Sequence, residues 1–122
     1  MEGCWELVSR YDVRDHRTGR ITSFRNWRIC LDANGNGTET MRSVDGVQCR
    51  GPVSASFARD GGFVVREPAN LPCNNGSIIF RRVITCRLDQ AGRANCDSYQ
   101  PETNGRDAAT LRRAGAGRNE AL

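Results

Sequence analysis

The sequence contains no lysine, and its 122 residues include a single histidine. All 18 basic residues are arginine, which is typical of a GC-rich genome, and the formal net charge is only +4. The arginines are scattered, and adjacent pairs occur only at 81–82 and 112–113. Domains that bind nucleic acids concentrate basic residues on one face or interleave them with stacking aromatic side chains. Neither pattern is present, so we expect no nucleic-acid partner.

Long apolar runs are missing as well. A membrane-spanning helix needs roughly 18–20 apolar residues in a row, whereas the longest apolar stretches here, such as 53–57 and 77–80, have the length of a strand. No segment shows the 3.6-residue periodicity of an amphipathic helix. The chain length suits one domain rather than two. We therefore predict a single domain without a membrane span.

Residue types that carry catalysis are scarce. His16, the only histidine, falls in a predicted turn, where an exposed side chain is the simplest interpretation. Asp12 and Asp15 are a candidate pair for acid–base chemistry, but they lie among arginines near a strand end, which is typical of solvated surface charge. No C-x-x-C pair gives the spacing of metal ligands. We expect a protein that is not an enzyme, with no catalytic residues and no cofactor.

One segment is partly similar to a calcium-binding loop. Asp32, Asn34 and Asn36 precede Gly37 in the order D-x-N-x-N-G. The twelfth position of such a loop would be Ser43 instead of the required glutamate, and no helix flanks the segment. Because asparagine and glycine tolerate positive φ, we favour a hairpin turn. A weak calcium site at the three side chains is the alternative.

What the sequence does contain is alternation of apolar and polar residues with period two, interrupted by turns rich in Gly, Asn and Asp. Eight short antiparallel strands joined in a meander, and closed to remove exposed edges, form an up-and-down β-barrel. We predict an all-β barrel over residues 1–113 and a disordered tail over 114–122. The predicted strands are 4–14, 21–32, 38–43, 47–58, 63–67, 77–88, 93–99 and 108–113.

The six cysteines are even in number and spread along the chain, at positions 4, 30, 49, 73, 86 and 96. In a domain of this size they indicate three disulfides formed in an oxidising compartment. No leader precedes Gly3, so either the protein is cytosolic with reduced, buried cysteines, or Met1 stands in place of a removed leader; the cysteine pattern favours the second. The predicted location is periplasmic or extracellular.

The predicted hairpins also suggest which cysteines pair. Residues that face each other across a hairpin have a mean position at its turn. Cys4 and Cys30 average to 17, Cys49 and Cys73 to 61, and Cys86 and Cys96 to 91, and each value falls in a predicted turn. Opposed strand residues meet the distance that a disulfide needs. Six cysteines allow 15 connectivities; the pairing 86–96 is favoured most, and a 30–49 bridge is the main rival.

The N-terminal segment Gly3-Cys4-Trp5-Glu6-Leu7-Val8-Ser9, followed by Tyr11, Val13 and a Thr18-Gly19 turn, resembles the first strand of lipocalin-like barrels. The resemblance implies that Trp5 plugs one end of the barrel. It also implies that an arginine of the last strand, Arg112 or Arg113, packs over this ring as a cation–π contact. Small bacterial barrels that inhibit secreted metalloproteases open with a similar strand.

These observations favour a non-catalytic binding domain of an exported bacterial protein, which binds a small ligand or a protein partner. A periplasmic barrel of the protease-inhibitor type is the alternative. Arg25 and Arg82 fall in phase with apolar residues and could meet an anionic group, unless a strand end or a register break turns them outward. Tyr11, Trp27 and Phe80 would line the same pocket. The aromatic side chains could instead fill a solid core, which we favour at this chain length.

Overall fold

The fold was analysed in a computed structural model, which describes residues 2–8, 10–15 and 17–114. His16 lies outside the described residues, and so does the predicted tail except for Ala114. Within them the chain forms strands and turns, and all of its strand pairings are antiparallel. The strands are β1 (Gly3–Leu7), β2 (Tyr11–Arg14), β3 (Ile21–Leu31), β4 (Asn36–Ser43), β5 (Gln48–Phe57), β6 (Phe63–Arg66), β7 (Leu71–Pro72), β8 (Ile78–Ile79), β9 (Val83–Leu88), β10 (Ala94–Gln100) and β11 (Gly105–Arg113).

These strands form an eight-stranded closed barrel, as the alternation pattern predicts. The strand order is β1-β11-β10-β9-β6-β5-β4-β3-β2, and β1 also pairs with β3, which closes the sheet. The predicted first strand is interrupted after Leu7, so β1 and β2 together count as one strand of the barrel. The hairpin β7–β8 forms a separate two-stranded sheet. The fold class is therefore an all-β, up-and-down antiparallel barrel with three disulfides.

The two ends of the barrel differ. The first described residues, the last ones, and the three short turns 32–35, 58–62 and 89–93 lie at one end, which we call the closed end. The other end, called the open end, carries the remaining connections. One of these connections is residues 67–82, which contain β7 and β8 and which we call the strap.

Two strand starts differ from the sequence-based prediction by at least three residues. The predicted strand 77–88 is wrong over its first part, because 78–79 pair with β7 inside the strap and β9 begins only at Val83. A disulfide from Cys73 to Cys49 and the two prolines of the strap hold this segment away from the β9 ladder. The last strand begins at Gly105, three residues earlier than predicted, because β11 pairs with β10 along its whole length from Gly105 to Leu111.

All three disulfides predicted from the hairpin positions are confirmed. Cys4 pairs with Cys30, Cys49 with Cys73, and Cys86 with Cys96, each with a Cα–Cα distance of 4.0 Å. The first and third bridges join residues directly opposite in their ladders, and the second joins the strap to the start of β5. Three bridges of this kind are consistent with an oxidising extracellular or periplasmic environment.

The closed end is filled by the aromatic ring that the lipocalin resemblance singles out. Trp5 is buried, and its ring centroid lies 5.5 Å from that of Phe63. The Arg113 guanidinium lies 4.8 Å from the Trp5 ring and donates a 2.8 Å hydrogen bond to the Glu2 carbonyl oxygen. Arg112 points to the outer face, where its Nε donates to Glu6 at 3.1 Å. Of the two arginines considered, Arg113 is therefore the one that packs over the tryptophan.

A glycine completes the closure. The turn 32–35 leans against β5, where the Ala55 amide donates a 2.6 Å hydrogen bond to the Gly35 carbonyl oxygen. Gly35 has a φ of 86°, and a Cβ at this position would overlap the Ala55 carbonyl oxygen. Only glycine fits this combination of positive φ and close backbone approach.

Candidate functional site

A cavity of about 790 Å³ opens at the open end of the barrel. Its apolar wall consists of the side chains of Tyr11, Val13, Phe24, Val47, Ile78, Ile79 and Phe80. Its polar and charged lining residues include Arg14, Asp15, Arg17, Thr22, Gln100, Thr103, Arg106 and Asp107. Ligand pockets in proteins typically measure about 300–1,000 Å³ and combine an apolar wall with a few polar groups. The barrel is thus filled at its closed end and carries this cavity at its open end. Of the aromatic side chains expected to fill a core, Trp5, Trp27 and Tyr11 are buried, whereas Phe80 is half-buried and lines the cavity.

One side of the cavity is a slit between two strands. Strand β2 pairs with β3 only, whereas β11 pairs with β1 from Leu111 onward and accepts one further bond from the Val8 amide to the Thr110 oxygen. Among the described residues, no backbone pairing joins β2 to the 105–109 segment of β11. Residues from both of these edges line the cavity. The slit is therefore a break in the backbone ladder beside the cavity.

The floor of the cavity is built on stacked aromatic rings. Tyr11 lines the cavity, and its ring centroid lies 4.8 Å from that of Trp27, which is buried beneath it. The Tyr11 hydroxyl lies 3.4 Å from the Ser98 hydroxyl across the barrel. The guanidinium of Arg82 lies 4.6 Å from the Trp27 ring and 5.7 Å from the Tyr11 ring. These contacts place a buried positive charge directly under the aromatic floor.

Arg82 points inward, as its phase predicts, but it does not reach the barrel mouth. Its Nη2 donates to Glu67 Oε2 at 2.6 Å and to Glu39 Oε1 at 3.2 Å, and its Nε donates to Glu67 Oε1 at 3.0 Å. All three side chains are fully buried or nearly so. Glu39 Oε1 also accepts a 2.9 Å bond from the Trp27 Nε1. The interior cluster of Glu39, Glu67, Arg82 and Trp27 therefore neutralises Arg82 internally.

The two carboxyl groups of this cluster differ in acidity. Burial raises the pKa of Glu39 well above its ordinary value, and its hydrogen bond with Glu67 and the charge of Glu67 add to this, against the charge of Arg82. Burial alone would also raise the pKa of Glu67, but the hydrogen bond with Glu39 and the charge of Arg82 lower it overall. Glu67 is therefore the stronger acid of the two and the main partner of Arg82, which it binds through both of its oxygens.

Arg25, the other arginine proposed to face inward, is on the outside. The ladder between β3 and β4 shifts register between Phe24 and Asn26, so Arg25 is an extra residue at a bulge. The bulge restores the buried phase for Trp27 after a buried Phe24, and it turns the Arg25 side chain to solvent. There it borders an open depression of the outer wall together with Val8. This is the register break that the sequence analysis considered as the alternative.

The cationic groups at the cavity are arginines that the sequence analysis did not single out. Arg14 ends β2, Arg17 follows in the 15–20 turn, and Arg106 lies on β11 with its guanidinium 4.5 Å from the Tyr99 ring. We call these three the rim arginines. Strand phase would place Arg14 and Arg106 on the outer face, and only their position at strand ends beside the slit brings them to the cavity. Predicting that Arg14 and Arg106 line the cavity requires knowing which strand ends lie at the open end of the barrel.

A carboxylate lies beside Arg106 on the β11 edge of the slit. Asp107 on β11 is in phase with the inward Ala109. Burial raises the pKa of Asp107, the positive charge of Arg82 opposes this effect, and the negative charge of Asp12 adds to it. Both edges therefore carry charges of both signs: Arg14, Arg17 and Asp15 lie on the β2 side, and Arg106 and Asp107 on the β11 side.

Phe80 contributes to the site from the strap. It lines the cavity beside Ile78 and Ile79, as part of the segment between the hairpin β7–β8 and β9. Leu71 and Ile79 are buried under this segment, and the Arg81 amide donates to Asn70 Oδ1 at 3.0 Å. The strap is therefore a packed wall of the cavity.

The segment similar to a calcium loop forms a self-contained turn. Asp32 Oδ1 accepts hydrogen bonds from the backbone amides of Asn34 and Asn36 at 2.8 and 3.0 Å. This arrangement is an Asx-type turn, in which the carboxylate oxygen satisfies the loop backbone. In the described part of the chain, no group of three His, Cys, Asp or Glu side chains converges as a metal site would require.

The fold and the cavity together define a class: a small, disulfide-bonded, closed antiparallel β-barrel that is filled at one end and hollow at the other. Comparisons of the chain with protein-family models, with curated proteins and with solved structures find no significant match. Over the residues described here, no helix is long and apolar enough to cross a membrane.

Proposed function

We propose that this protein is a non-catalytic, exported binding protein of lipocalin-like type, which takes up a small amphipathic ligand through the open end of its barrel. The single observation that carries the proposal is the cavity of about 790 Å³, which combines an apolar wall with the rim arginines. The apolar body of the ligand would contact Phe24, Val47 and Ile79. An anionic group would lie at the β2 side of the mouth, because two guanidinium groups there, Arg14 and Arg17, outnumber the single lining carboxylate, Asp15.

The disulfides support the exported location within this proposal. All six cysteines are paired, and the bridge between Cys49 and Cys73 holds the strap that forms a wall of the cavity. A protein whose ligand site depends on such a bridge fits an oxidising compartment, either the periplasm or the cell exterior.

The position of the strap also favours a small ligand in the cavity over a protein partner bound by a protruding loop. An inhibitor of the kind considered above needs a segment that reaches into another protein's active site. The longest connection, the strap, instead folds back on the barrel, with Leu71 and Ile79 buried. The Asn74 amide donates to the Gln48 oxygen at 2.8 Å, and Asn74 Oδ1 accepts from the Gln48 amide at 3.0 Å. These contacts favour the cavity as the functional feature.

The proposal is tested by calorimetric titration with three probes that share one alkyl chain: dodecanoate, dodecanol and dodecyltrimethylammonium. We expect dodecanoate to bind about tenfold more tightly than dodecanol, since a hydrogen bond to a charged group contributes about 1.5–3 kcal/mol. The cationic probe should bind most weakly. The advantage of the carboxylate should shrink at high salt, because the mouth is open to solvent.

Two variants and one matched control locate the binding. Thr22 lines the cavity, and Thr22→Trp should abolish binding of all three probes by filling it. Arg17→Gln should lower the affinity for dodecanoate about tenfold without changing that for dodecanol. Arg59→Gln, the same substitution at an exposed residue of the closed end, should change neither affinity. Equal affinity for the three probes, or binding that survives in Thr22→Trp, would contradict the proposal.

A further inference from the structure

The three most exposed large aliphatic side chains of the described residues all lie at the open end. Ile21 is 51% exposed, Val44 53% and Ile78 51%. They belong to the start of β3, the 44–47 turn and the strap, which are remote from one another in sequence. Single exposed aliphatic residues are ordinary on a protein surface, but a cluster at one end indicates a contact surface.

Backbone contacts hold these three side chains around the same mouth. The Val44 amide donates to the Ser23 carbonyl oxygen at 3.1 Å, which places the 44–47 turn beside the start of β3. The hairpin that carries Ile78 is joined to the residue after that turn by the two hydrogen bonds between Asn74 and Gln48. The Cys49–Cys73 bridge secures the same junction. The apolar rim formed by Ile21, Val44 and Ile78 is therefore a defined feature of the folded barrel.

Positive charge accompanies the apolar rim. Arg14 lies directly opposite Ile21 in the ladder between β2 and β3. Four further arginines border the rim from the 15–20 turn, the end of β4 and the strap: Arg17, Arg20, Arg42 and Arg81. No described carboxylate lies within 4.0 Å of any of these five guanidinium groups. The exposed carboxylates of the open end are Asp15, which accepts from the amides of its own turn, Asp45, Glu102 and Asp107, so the arginines there, Arg106 included, outnumber them.

We propose that the open end docks on the surface of an anionic lipid bilayer. Ile21, Val44 and Ile78 would enter the headgroup region, and the surrounding arginines would contact lipid phosphates. Exposed aliphatic residues ringed by unpaired cations are complementary to a surface that is apolar inside and negatively charged outside. Guanidinium groups also match phosphate oxygens in geometry. The docking depends on the rim alone and does not require an occupied cavity.

The test is flotation of the intact, oxidised protein with lipid vesicles. Vesicles of phosphatidylcholine with roughly one third phosphatidylglycerol should carry the protein, whereas vesicles of pure phosphatidylcholine should not. The triple variant Ile21→Ser, Val44→Ser, Ile78→Ser should bind at least about tenfold more weakly. The pair Arg14→Gln, Arg17→Gln should do the same, and high salt should weaken wild-type binding.

Matched controls exist at the closed end, and thermal unfolding confirms that each variant is folded. Phe57→Ser with Leu88→Ser removes two exposed apolar side chains, and Arg59→Gln with Arg93→Gln removes two charges. Neither control should change flotation. Equal loss in these controls would overturn the proposal, and so would equal binding to neutral vesicles.

Two further outcomes distinguish membrane docking from lipid binding in the cavity and from dimerisation. Thr22→Trp, which fills the cavity, should float as the wild type does; loss of flotation would mean that the protein holds a single lipid in the cavity instead of docking, and would overturn the proposal. A concentration-dependent dimer that the triple serine variant dissociates would also overturn it, since a second copy would then cover the rim. If the protein floats with anionic vesicles but binds none of the alkyl probes, membrane docking is supported and the proposed ligand-binding function is contradicted.

Discussion

At the scale of single residues, the interior cluster shows that two buried glutamates with a common partner have different roles. Glu67 binds Arg82 through both of its oxygens and lies at the start of the strap, with Arg82 at its end. Glu39 binds the same guanidinium through one oxygen and also accepts from Trp27. A buried guanidinium needs one full negative charge nearby, and the raised pKa of Glu39 leaves that role to Glu67.

We therefore expect the isosteric amides to have unequal effects on the free energy of unfolding at neutral pH. Glu39→Gln should change it by less than about 1 kcal/mol, since the amide oxygen replaces the acceptor of a neutral acid. Glu67→Gln should cost about 2–3 kcal/mol, less than the ~3–5 typical of a broken buried pair, because Glu39 can ionise in its place. The double variant leaves no anion beside Arg82, so its cost should exceed the sum of the two by about 2 kcal/mol. Urea denaturation of the four proteins measures this cycle, and simple additivity would contradict the assignment.

At the scale of elements, the strap is a wall of the cavity that depends on one disulfide. The Cys49–Cys73 and Cys4–Cys30 bridges span 24 and 26 residues, so removing either one changes the entropy of the unfolded chain almost equally. They differ in location, because the first joins the strap to β5 and the second joins β1 to β3 at the closed end. The two bridges are thus matched controls for each other.

Replacing either pair with alanine should lower the free energy of unfolding by about 3–4 kcal/mol, the value expected for loops of this length. Only the Cys49→Ala, Cys73→Ala protein should lose affinity for the alkyl probe, because its strap no longer lines the cavity. The Cys4→Ala, Cys30→Ala protein, compared at a temperature where both are folded, should bind as the wild type does. Equal affinities in the two proteins would show that the strap is not part of the site.

The same elements show how far the sequence leads. The Cys4–Cys30 and Cys86–Cys96 pairs could be predicted because regular ladders keep facing residues at a constant mean position, whereas Cys73 reaches Cys49 from the strap, outside the β5–β6 hairpin. The outward direction of the Arg25 side chain could not be predicted. The bulge between Phe24 and Asn26 reverses the alternation of inward and outward residues, and no glycine or proline in the sequence marks its position. Ile78 was assigned to a barrel strand because its alternation with Phe80 is unbroken in sequence, although the strap carries both away from the barrel sheet.

The site residues were harder to predict than the fold. Strand β4 contains polar residues on both of its faces, so the sequence shows little difference in hydrophobicity between them. Only the two-residue spacing from the buried Met41 indicates that Glu39 points inward. An inward Arg82 does predict an acidic partner, but the partner Glu67 follows the last residue of β6 and belongs to no strand pattern. Long-range pairing of buried charges depends on topology, which alternation does not encode.

At the scale of the whole molecule, the interior cluster makes stability depend on pH in opposite senses on the two sides of the ordinary glutamate pKa of 4.5. Glu39 has a raised pKa in the folded protein. As the pH rises above 4.5, the unfolded chain releases this proton while the folded protein keeps it, so the free energy of unfolding falls until Glu39 ionises. Glu67 has a lowered pKa. Its stabilisation is present above 4.5 and is lost as the pH falls toward the folded value.

Difference curves isolate the two contributions from those of the other carboxylates. The free energy of unfolding of the wild type minus that of Glu39→Gln should be constant below pH 4.5 and should decrease above it. For Glu67→Gln the corresponding difference should shrink as the pH falls below 4.5. Chemical denaturation from acid to neutral pH provides both curves. A flat Glu39 difference would mean that folding does not raise the pKa of this carboxyl.

The slit between β2 and β11 gives the barrel two different degrees of stiffness. At the closed end the ladder is continuous, and two disulfides bridge neighbouring strands, so the diameter there is set. At the open end the circumference can grow by widening the slit, and no backbone hydrogen bond has to break, because none crosses it among the described residues. We therefore expect the cavity, about 790 Å³ in this structure, to widen at this edge and not at the closed end. For the proposed ligand this predicts tolerance of a body too bulky for the barrel interior, part of which would remain outside the wall.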